Sequence, residues 1–383
     1  MSTFALLVVD DSAFNRLMLT RRLAELGYTD VTLANDGIEG LAAIAARHFD
    51  CVLLDLEMPQ MDGIAVLERL REHQGTAPPV IVISALTEMD TIVRCIALGA
   101  EDYLPKTFDL PLLRARLGAV LEKKHLRDLA DGRRHVIEAE LESARAAQLA
   151  LMRRDFAAIA QPGLTIAAAM IPAREVGGDL YDAMRLPCGG VLLCVADVSG
   201  KGAPAGLTMA RTLGAIRAAA RLVPGPLPDP ATILAYANAD LAAENDSQTF
   251  VTALLIVLDA ATGDGRICVA GHEAPYLLDE HEARPLTGFA RQPPLGAWEG
   301  FAYASTAIHV AAGQGLFLYS DGVTEAENAA QDFFGRDRLR ATLAPLRGAS
   351  PDAVVAAVLA AIVTFADGAP QNDDITVLAF RRG

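Results

Sequence analysis

Five times between Phe4 and about Val120, a short apolar run ends in a polar or acidic residue and gives way to a stretch with helical spacing. The runs are FALLVVDD, VTLAND, CVLLDLE, PVIVISA and DYLPK; NRLMLTRRLAELGY, GLAAIAARH, IAVLERLREH, TIVRCIALGA and LLRARLGAVLEKK follow them in turn. Near-continuous apolar runs suit strands covered on both faces, and regular alternation with helices demands crossover connections. The pattern therefore predicts an α/β domain with a doubly wound, five-stranded parallel sheet. In such sheets functional groups gather at the carboxyl ends of the strands.

A chain of 383 residues has room for two domains and a linker. Residues 1–120 form the first domain in this reading. Residues 121–160 are charged and helix-prone, with Val136, Ile137 and Leu141 at helical spacing, and are expected to form a helical linker broken near Asp131-Gly132. Residues 161–383 mix strand-like runs (GGVLLCVADVSG, FVTALLIVLD, GLFLYSDGV, DITVLAF) with alanine-rich helical segments around 204–221 and 351–366. That mixture predicts an α+β domain of layered sheets with flanking helices.

The net charge of −15 disfavours nucleic acid as a partner, because affinity for it rests on neutralising phosphates. The opening MSTFALLVVDDS lacks the cationic segment of a secretory signal and reads as a buried first strand. The longest apolar run, Ala353–Ala366, falls short of the roughly 18–20 residues that span a bilayer, so a packed helix is expected and no membrane partner. Cys51, Cys95, Cys188, Cys194 and Cys268 have no metal-ligand spacing and are expected to be reduced core residues of a cytoplasmic protein.

The first domain's strand ends carry Asp10-Asp11, Asp55, Ser84 and Lys106. Carboxylates brought together repel unless a cation lies among them, and Mg²⁺ prefers oxygen ligands, so Asp10, Asp11 and Asp55 could hold it. With the metal and a lysine neutralising phosphoryl oxygens, a carboxylate can attack a phosphoryl donor, and Asp55 is the central candidate. Any one of these residues alone would be read as a solvated strand-end charge. Their joint spacing argues against that.

VVDDS, LLDLEMPQMDG, Ser84-Ala85 and DYLPK resemble the response-regulator receiver family over residues 4 to about 120. The resemblance implies a flavodoxin-like receiver in which a histidine kinase phosphorylates Asp55. It further implies that Asp11, Asp55 and the Glu57 carbonyl bind Mg²⁺, with Asp10 acting through water, and that Lys106 binds the phosphoryl group. Ser84 and Tyr103 match the family's switch pair. Thr107 stands where the family usually has proline, so a trans bond is expected there.

In the second half, aspartates recur beside glycine or a short turn: Asp179 in REVGGDLYD, Asp197 in VADVSGKG, Asp321 in LYSDGVTEA, and Asp373-Asp374 in QNDDITVLAF. Carboxylates converging without basic partners suggest a dinuclear cation site for phosphoryl hydrolysis. Together with ELESARAAQ, AGHEAPYLL and PPLG, these runs resemble the metal-dependent protein phosphatase family, in its bacterial stress-response and sporulation branch, over about residues 137–381.

That resemblance implies two Mn²⁺ or Mg²⁺ ions. Asp197 would bridge them, the Val198 carbonyl would complete one site, Asp321 and Asp373 would bind the other, and Asp179 would contact the metals directly or through water. Asp374 would support the ligands. It also implies a serine-phosphorylated anti-sigma-factor antagonist as substrate. His272 in AGHEAP is read as structural rather than as a general acid, and Glu273 replaces an asparagine frequent in the family.

Four alternatives stand beside these readings. The second domain could be a catalytically silent phosphatase fold that captures a partner protein, but the retained aspartates count against it. VGGDLYD superficially resembles the motif of cyclic-dinucleotide synthases, yet Leu180 replaces the acidic residue and the other aspartates would go unexplained. GKG lacks the spacing of a phosphate loop. The linker could also pair two copies as a short coiled coil.

Overall fold

The computed structural model describes residues 4–72, 77–85, 89–153, 155–156, 159, 163–174, 176–243, 245 and 248–383. The chain divides into two compact units, Met1–Ile137 and Glu138–Gly383.

In the first unit the strands are β1 (Ala5–Val9), β2 (Asp30–Ala34), β3 (Cys51–Asp55), β4 (Val80–Ser84) and β5 (Asp102–Pro105). The helices are α1 (Ala13–Glu25), α2 (Gly37–Ala46), α3 (Gly63–Arg71), α4 (Met89–Ala97) and α5 (Leu110–Leu151), whose residues from Glu138 on belong to the second unit. All strand pairs are parallel, in the order β2-β1-β3-β4-β5. Alternate residues leave opposite faces: Leu7, Val9, Val52 and Leu54 pack with Val66, Leu67 and Cys95. Leu6, Val8, Leu53 and Ile83 pack with Leu19, Leu23, Leu113 and Leu117. Ser12, Asp36 and Asp62 cap α1, α2 and α3 through their side chains, each cap contributing about 1 kcal/mol. Strand order reverses between β1 and β3, which places the crevice beside Asp10 and Asp55.

Helix α5 is continuous from Leu110 to Leu151, which corrects the expected break near Asp131-Gly132. An isolated glycine costs a helix about 1 kcal/mol relative to alanine, too little to interrupt one with intact neighbouring turns.

The second unit contains two antiparallel five-stranded sheets. One comprises β7 (Leu180–Arg185), β8 (Val191–Val198), β9 (Val251–Leu258), β10 (Asp264–Ala270) and β13 (Thr306–His309). The other comprises β6 (Leu164–Ile171), β11 (Tyr276–Leu278), β12 (Ala283–Pro285), β14 (Gly315–Tyr319) and β15 (Ile375–Arg382). On β8, Leu192, Cys194 and Ala196 share a core with helices α6 (Ala203–Leu222) and α7 (Pro230–Ala242). The alternate residues Val191, Leu193 and Val195 share one with Leu318, Leu378 and Phe380 of the facing sheet. Val377 and Ala379 turn outward against α9 (Gly335–Leu343) and α10 (Pro351–Ala366). The result is four layers: helices, sheet, sheet, helices. A short helix, α8 (Asp321–Thr324), follows β14.

The expected packed helix over the apolar run 353–366 is α10, with Val354, Val355, Val358 and Ile362 buried. Among the described residues, no helix is long and apolar enough to cross a membrane. All five cysteines are free thiols; Cys188 is exposed, against expectation, because it lies in the turn between β7 and β8.

Candidate functional site

At the carboxyl end of the first unit's sheet, β1 delivers Asp10 and Asp11, β3 delivers Asp55, and β5 leads into Lys106. Asp10 and Asp55 are buried and Asp11 is exposed. Ligand oxygens of these three aspartates lie within 4.8 Å of one another, the only such group of three among the described residues. Lys106 Nζ donates to Asp55 Oδ2 at 2.5 Å and lies 3.7 Å from Asp10 Oδ2. Burial pushes the Asp55 carboxyl above the usual range, with Lys106 opposing the shift. Burial also works against the Lys106 ammonium, but the three aspartates outweigh it and hold its pKa above the ordinary value.

Backbone geometry shapes this site too. A Cβ at Gly63 would collide with the Asp55 carbonyl oxygen, so Asp62-Gly63 can close over β3 only with glycine there. Glu57 N–H points back to Asp55 Oδ1 at 3.4 Å. Ser84 is buried at the end of β4, and its carbonyl accepts from both the Tyr103 hydroxyl (3.3 Å) and the Lys106 amide (2.9 Å). Among the described residues no peptide bond is cis, the one before Thr107 included.

A second group of acids lies at one end of the sandwich. Asp179 precedes β7, Asp197 is the penultimate residue of β8, Asp321 follows β14, and Asp373-Asp374 precede β15. Burial, then the Asp197 charge, raises the Asp179 carboxyl well above its ordinary value. Asp197 is pushed up to about 7 by burial and by Asp321, Asp373 and Asp374. Asp321 rises to about 6 through burial, Glu325 and Asp373. The four predicted ligands Asp179, Asp197, Asp321 and Asp373 thus share one electrostatic neighbourhood. Lys201, in the turn before α6, lies 3.2 Å from Asp373 Oδ2 and donates to the Asn372 carbonyl at 2.5 Å.

Asp374 plays a different part from its neighbour. Its carboxylate accepts from the backbone N–H groups of Ala173 (2.7 Å), Gly178 (2.6 Å) and Asp179 (3.4 Å), which fastens the Gly177–Asp179 turn to β15. A Cβ on Gly177 would sit 2.5 Å from Asp374 Oδ2, one on Gly178 would sit 2.9 Å from the Val198 carbonyl oxygen, and one on Gly322 would overlap the Asp374 backbone. The glycines beside the acids are therefore close-approach positions. The Ser320 hydroxyl donates to Asp179 Oδ2 at 2.6 Å.

Two supporting residues were not singled out from the sequence. Ser320 lies within LYSDG, directly before Asp321. Gln148 closes the run ELESARAAQ; it is buried near the end of α5, its Nε2 donating to the Gly177 carbonyl at 2.5 Å and its Oε1 accepting the Gly177 N–H at 3.1 Å. A polar residue on a polar helix carries no mark of such a clamp. His272 has Nδ1 2.7 Å from Thr252 Oγ1, and Thr252 pairs with Asp197 across β8 and β9. Burial lowers its imidazole to about 4, so the ring is neutral near pH 7. Glu273 forms a two-point ion pair with Arg336 at 2.8 and 3.0 Å.

The donors at both acidic sites are carboxylates and carbonyls, the hard oxygen set suited to Mg²⁺ or Mn²⁺. At the second site the carboxyls are raised by burial first and by neighbouring acids second.

Comparison with known proteins agrees with this division. Residues 6–118 match the response regulator receiver domain, and residues 187–383 match the model of stage II sporulation protein E (SpoIIE), just over half of the chain. The chain is 42% identical to response regulator MprA of Mycobacterium ulcerans over 123 residues, 32% of this chain and 52% of that protein. It is 39% identical to probable transcriptional regulator ycf27 of Porphyridium aerugineum over 118 residues, 31% of this chain and 48% of that one. It spans about half the length of these curated relatives. Among solved structures, the SiaA-PP2C domain of Pseudomonas aeruginosa superposes with a TM-score of 0.57 at 25% identity, covering 66% of this chain and 99% of that domain. The RsbU and RsbW domains of Rv1364c from Mycobacterium tuberculosis give a TM-score of 0.50 at 25% identity over 57% of this chain and 60% of theirs. A receiver domain is here joined to a PP2C-type phosphatase fold, and the chain belongs to the SpoIIE family.

Proposed function

We propose that this chain is a two-component response regulator whose receiver, phosphorylated on Asp55, controls a metal-dependent phosphoserine/phosphothreonine protein phosphatase. The observation that carries the reading is the convergence of Asp179, Asp197, Asp321 and Asp373, three of whose carboxyls are raised by burial and then by the charges of neighbouring acids.

In the receiver, Asp55 takes the phosphoryl group from a histidine kinase; Asp11, Asp55 and the Glu57 carbonyl would hold Mg²⁺, with Asp10 acting through water. Lys106, already on Asp55, neutralises a phosphoryl oxygen once the aspartate is modified. Ser84 and Tyr103, joined through the Ser84 carbonyl, form the element that reports the change.

In the output unit, Asp197, the Val198 carbonyl, Asp321 and Asp373 would hold the two ions, with Asp179 contacting them directly or through water. Two bound Mn²⁺ or Mg²⁺ ions would activate the attacking water and screen the phosphoryl oxygens. Ser320 orients Asp179, and Asp374 and Gln148 fix the turn that carries it. Lys201 must leave Asp373 for that carboxylate to serve as a ligand, and its ammonium is then available to an anionic substrate.

The substrate is a phosphoserine protein of the anti-sigma-factor-antagonist kind. The working division is receiver 1–120, linker 121–160 and phosphatase 161–383, in a cytoplasmic protein. Exposed Leu126, Leu129, Val136 and Ile137 on α5 support pairing with a second copy through the linker. The Lys201–Asp373 contact is the observation that favours a silent adaptor instead. Hydrolysis of p-nitrophenyl phosphate and of a phosphoserine protein in Mn²⁺, compared with EDTA, separates the two. Metal-dependent turnover lost in Asp321→Ala supports the phosphatase, and no turnover with any divalent ion supports the adaptor.

A further inference from the structure

Within the second unit, away from the acidic strand ends, a cleft of about 640 Å³ lies between the end of α5, the far end of β7 and the last turns of α6. Four arginines line it, Arg153, Arg185, Arg217 and Arg221, against two aspartates, Asp155 and Asp182. Such a concentration is out of character for a chain of net charge −15.

The charges there are unequally committed. Arg217 grips the buried Asp182 with two parallel bonds, Nε to Oδ2 at 2.7 Å and Nη2 to Oδ1 at 3.0 Å, so this pair is neutral and fixed. Arg153, Arg185 and Arg221 form no ion pair among the described residues. The Arg153 Nε–H is buried without an acceptor, and a buried donor left unpaired is unfavourable. The floor is apolar: Met152, Met184 and Leu186 are buried.

We infer that this cleft binds a nucleotide, with its phosphates on the free arginines and its base against the apolar floor. A guanidinium presents its donors as a planar fork that fits phosphate oxygens two at a time. An acceptor on Arg153 Nε would also satisfy the orphaned donor. The volume falls within the roughly 300–1,000 Å³ of small-molecule sites, and concavity over an apolar floor favours a compact ligand over an extended acidic peptide.

The test uses the full chain in EDTA, so that cations cannot recruit phosphates to the acidic sites. ATP is titrated calorimetrically, inorganic pyrophosphate is the competitor that isolates the phosphate contribution, and hexaglutamate is the peptide control. The inference expects saturable ATP binding, displaced by pyrophosphate and weakened about tenfold or more in Arg185→Glu/Arg221→Glu, one charge-assisted contact being worth about 1.5–3 kcal/mol. Both arginines are exposed, so the variant should melt with the wild type. Asp197→Ala should bind ATP normally, which keeps this result separate from the phosphatase reading. No saturable binding, equal binding by the arginine variant, or hexaglutamate displacing ATP as well as pyrophosphate does would overturn it.

Discussion

In the receiver site Lys106 reaches into the acids, 2.5 Å from Asp55 and 3.7 Å from Asp10. In the output site Lys201 pairs with the half-exposed Asp373 alone among the acids, and none of the ion pairs among the described residues involves Asp179, Asp197 or Asp321. The consequence is visible in the carboxyls: Asp197 is pushed to about 7, while at Asp55 the lysine opposes the effect of burial. A site with its own cation is nearly assembled before metal arrives. One without it stores repulsion that protons or added cations relieve.

That contrast can be broken most sharply by exchange of lesions. Asp197→Ala should lower Mn²⁺-dependent hydrolysis on the order of a thousandfold while leaving acetyl-phosphate labelling of Asp55 intact. Asp55→Ala should abolish labelling and leave unphosphorylated hydrolysis near wild type. Crossed effects, with either lesion silencing both assays in a folded protein, would mean the sites are not separate.

A smaller effect is expected one step out from the ligands. Gln148→Ala removes both bonds to Gly177 and should weaken Mn²⁺ binding at the output site about tenfold, measured by calorimetry. The receiver's affinity should not change. An unaltered output affinity would reduce Gln148 to a packing residue.

The third distinction is pH. A carboxyl whose folded pKa exceeds its unfolded value binds more protons in the native state, so stability falls as pH rises between the two values. For metal-free protein, Asp197 places that window between 3.8 and about 7. The second unit should therefore melt several degrees lower at pH 8 than at pH 5.5, and Mn²⁺ should reverse the loss. A metal-free melting point that rises over this interval would contradict the unrelieved repulsion.

Much of this was legible in the sequence where chemistry and periodicity coincide. Four of the receiver's five strands lead into a functional residue, and β3 is a continuous apolar run ending in Asp55, so strand and site were found by one signal. The output acids stood out because each lies beside a glycine or a short turn at a strand end, and the structure shows close backbone approaches at Gly177, Gly178 and Gly322. Strand β6, reading LTIAAAMI, and the short β11, β12 and β13 were missed because they lack both a strong period and a functional end. Gln148 was invisible because its partner lies 29 residues away. The expected break at Gly132 overvalued one residue's propensity within a 42-residue helix.

The smallest prediction follows from that correction. In the intact helix a Cβ at Gly132 meets nothing within 4 Å, so Gly132→Ala should stabilise the protein by about 1 kcal/mol, read from denaturant unfolding. Destabilisation would indicate a non-helical backbone at that point.

The most direct test of the central claim is equilibrium dialysis of Mn²⁺ against the wild-type chain, Asp55→Ala and Asp197→Ala at pH 7.5. The account predicts one ion in the receiver and two in the output unit, the first lost in Asp55→Ala and the output pair lost together in Asp197→Ala. Stoichiometry unchanged by Asp197→Ala would contradict it.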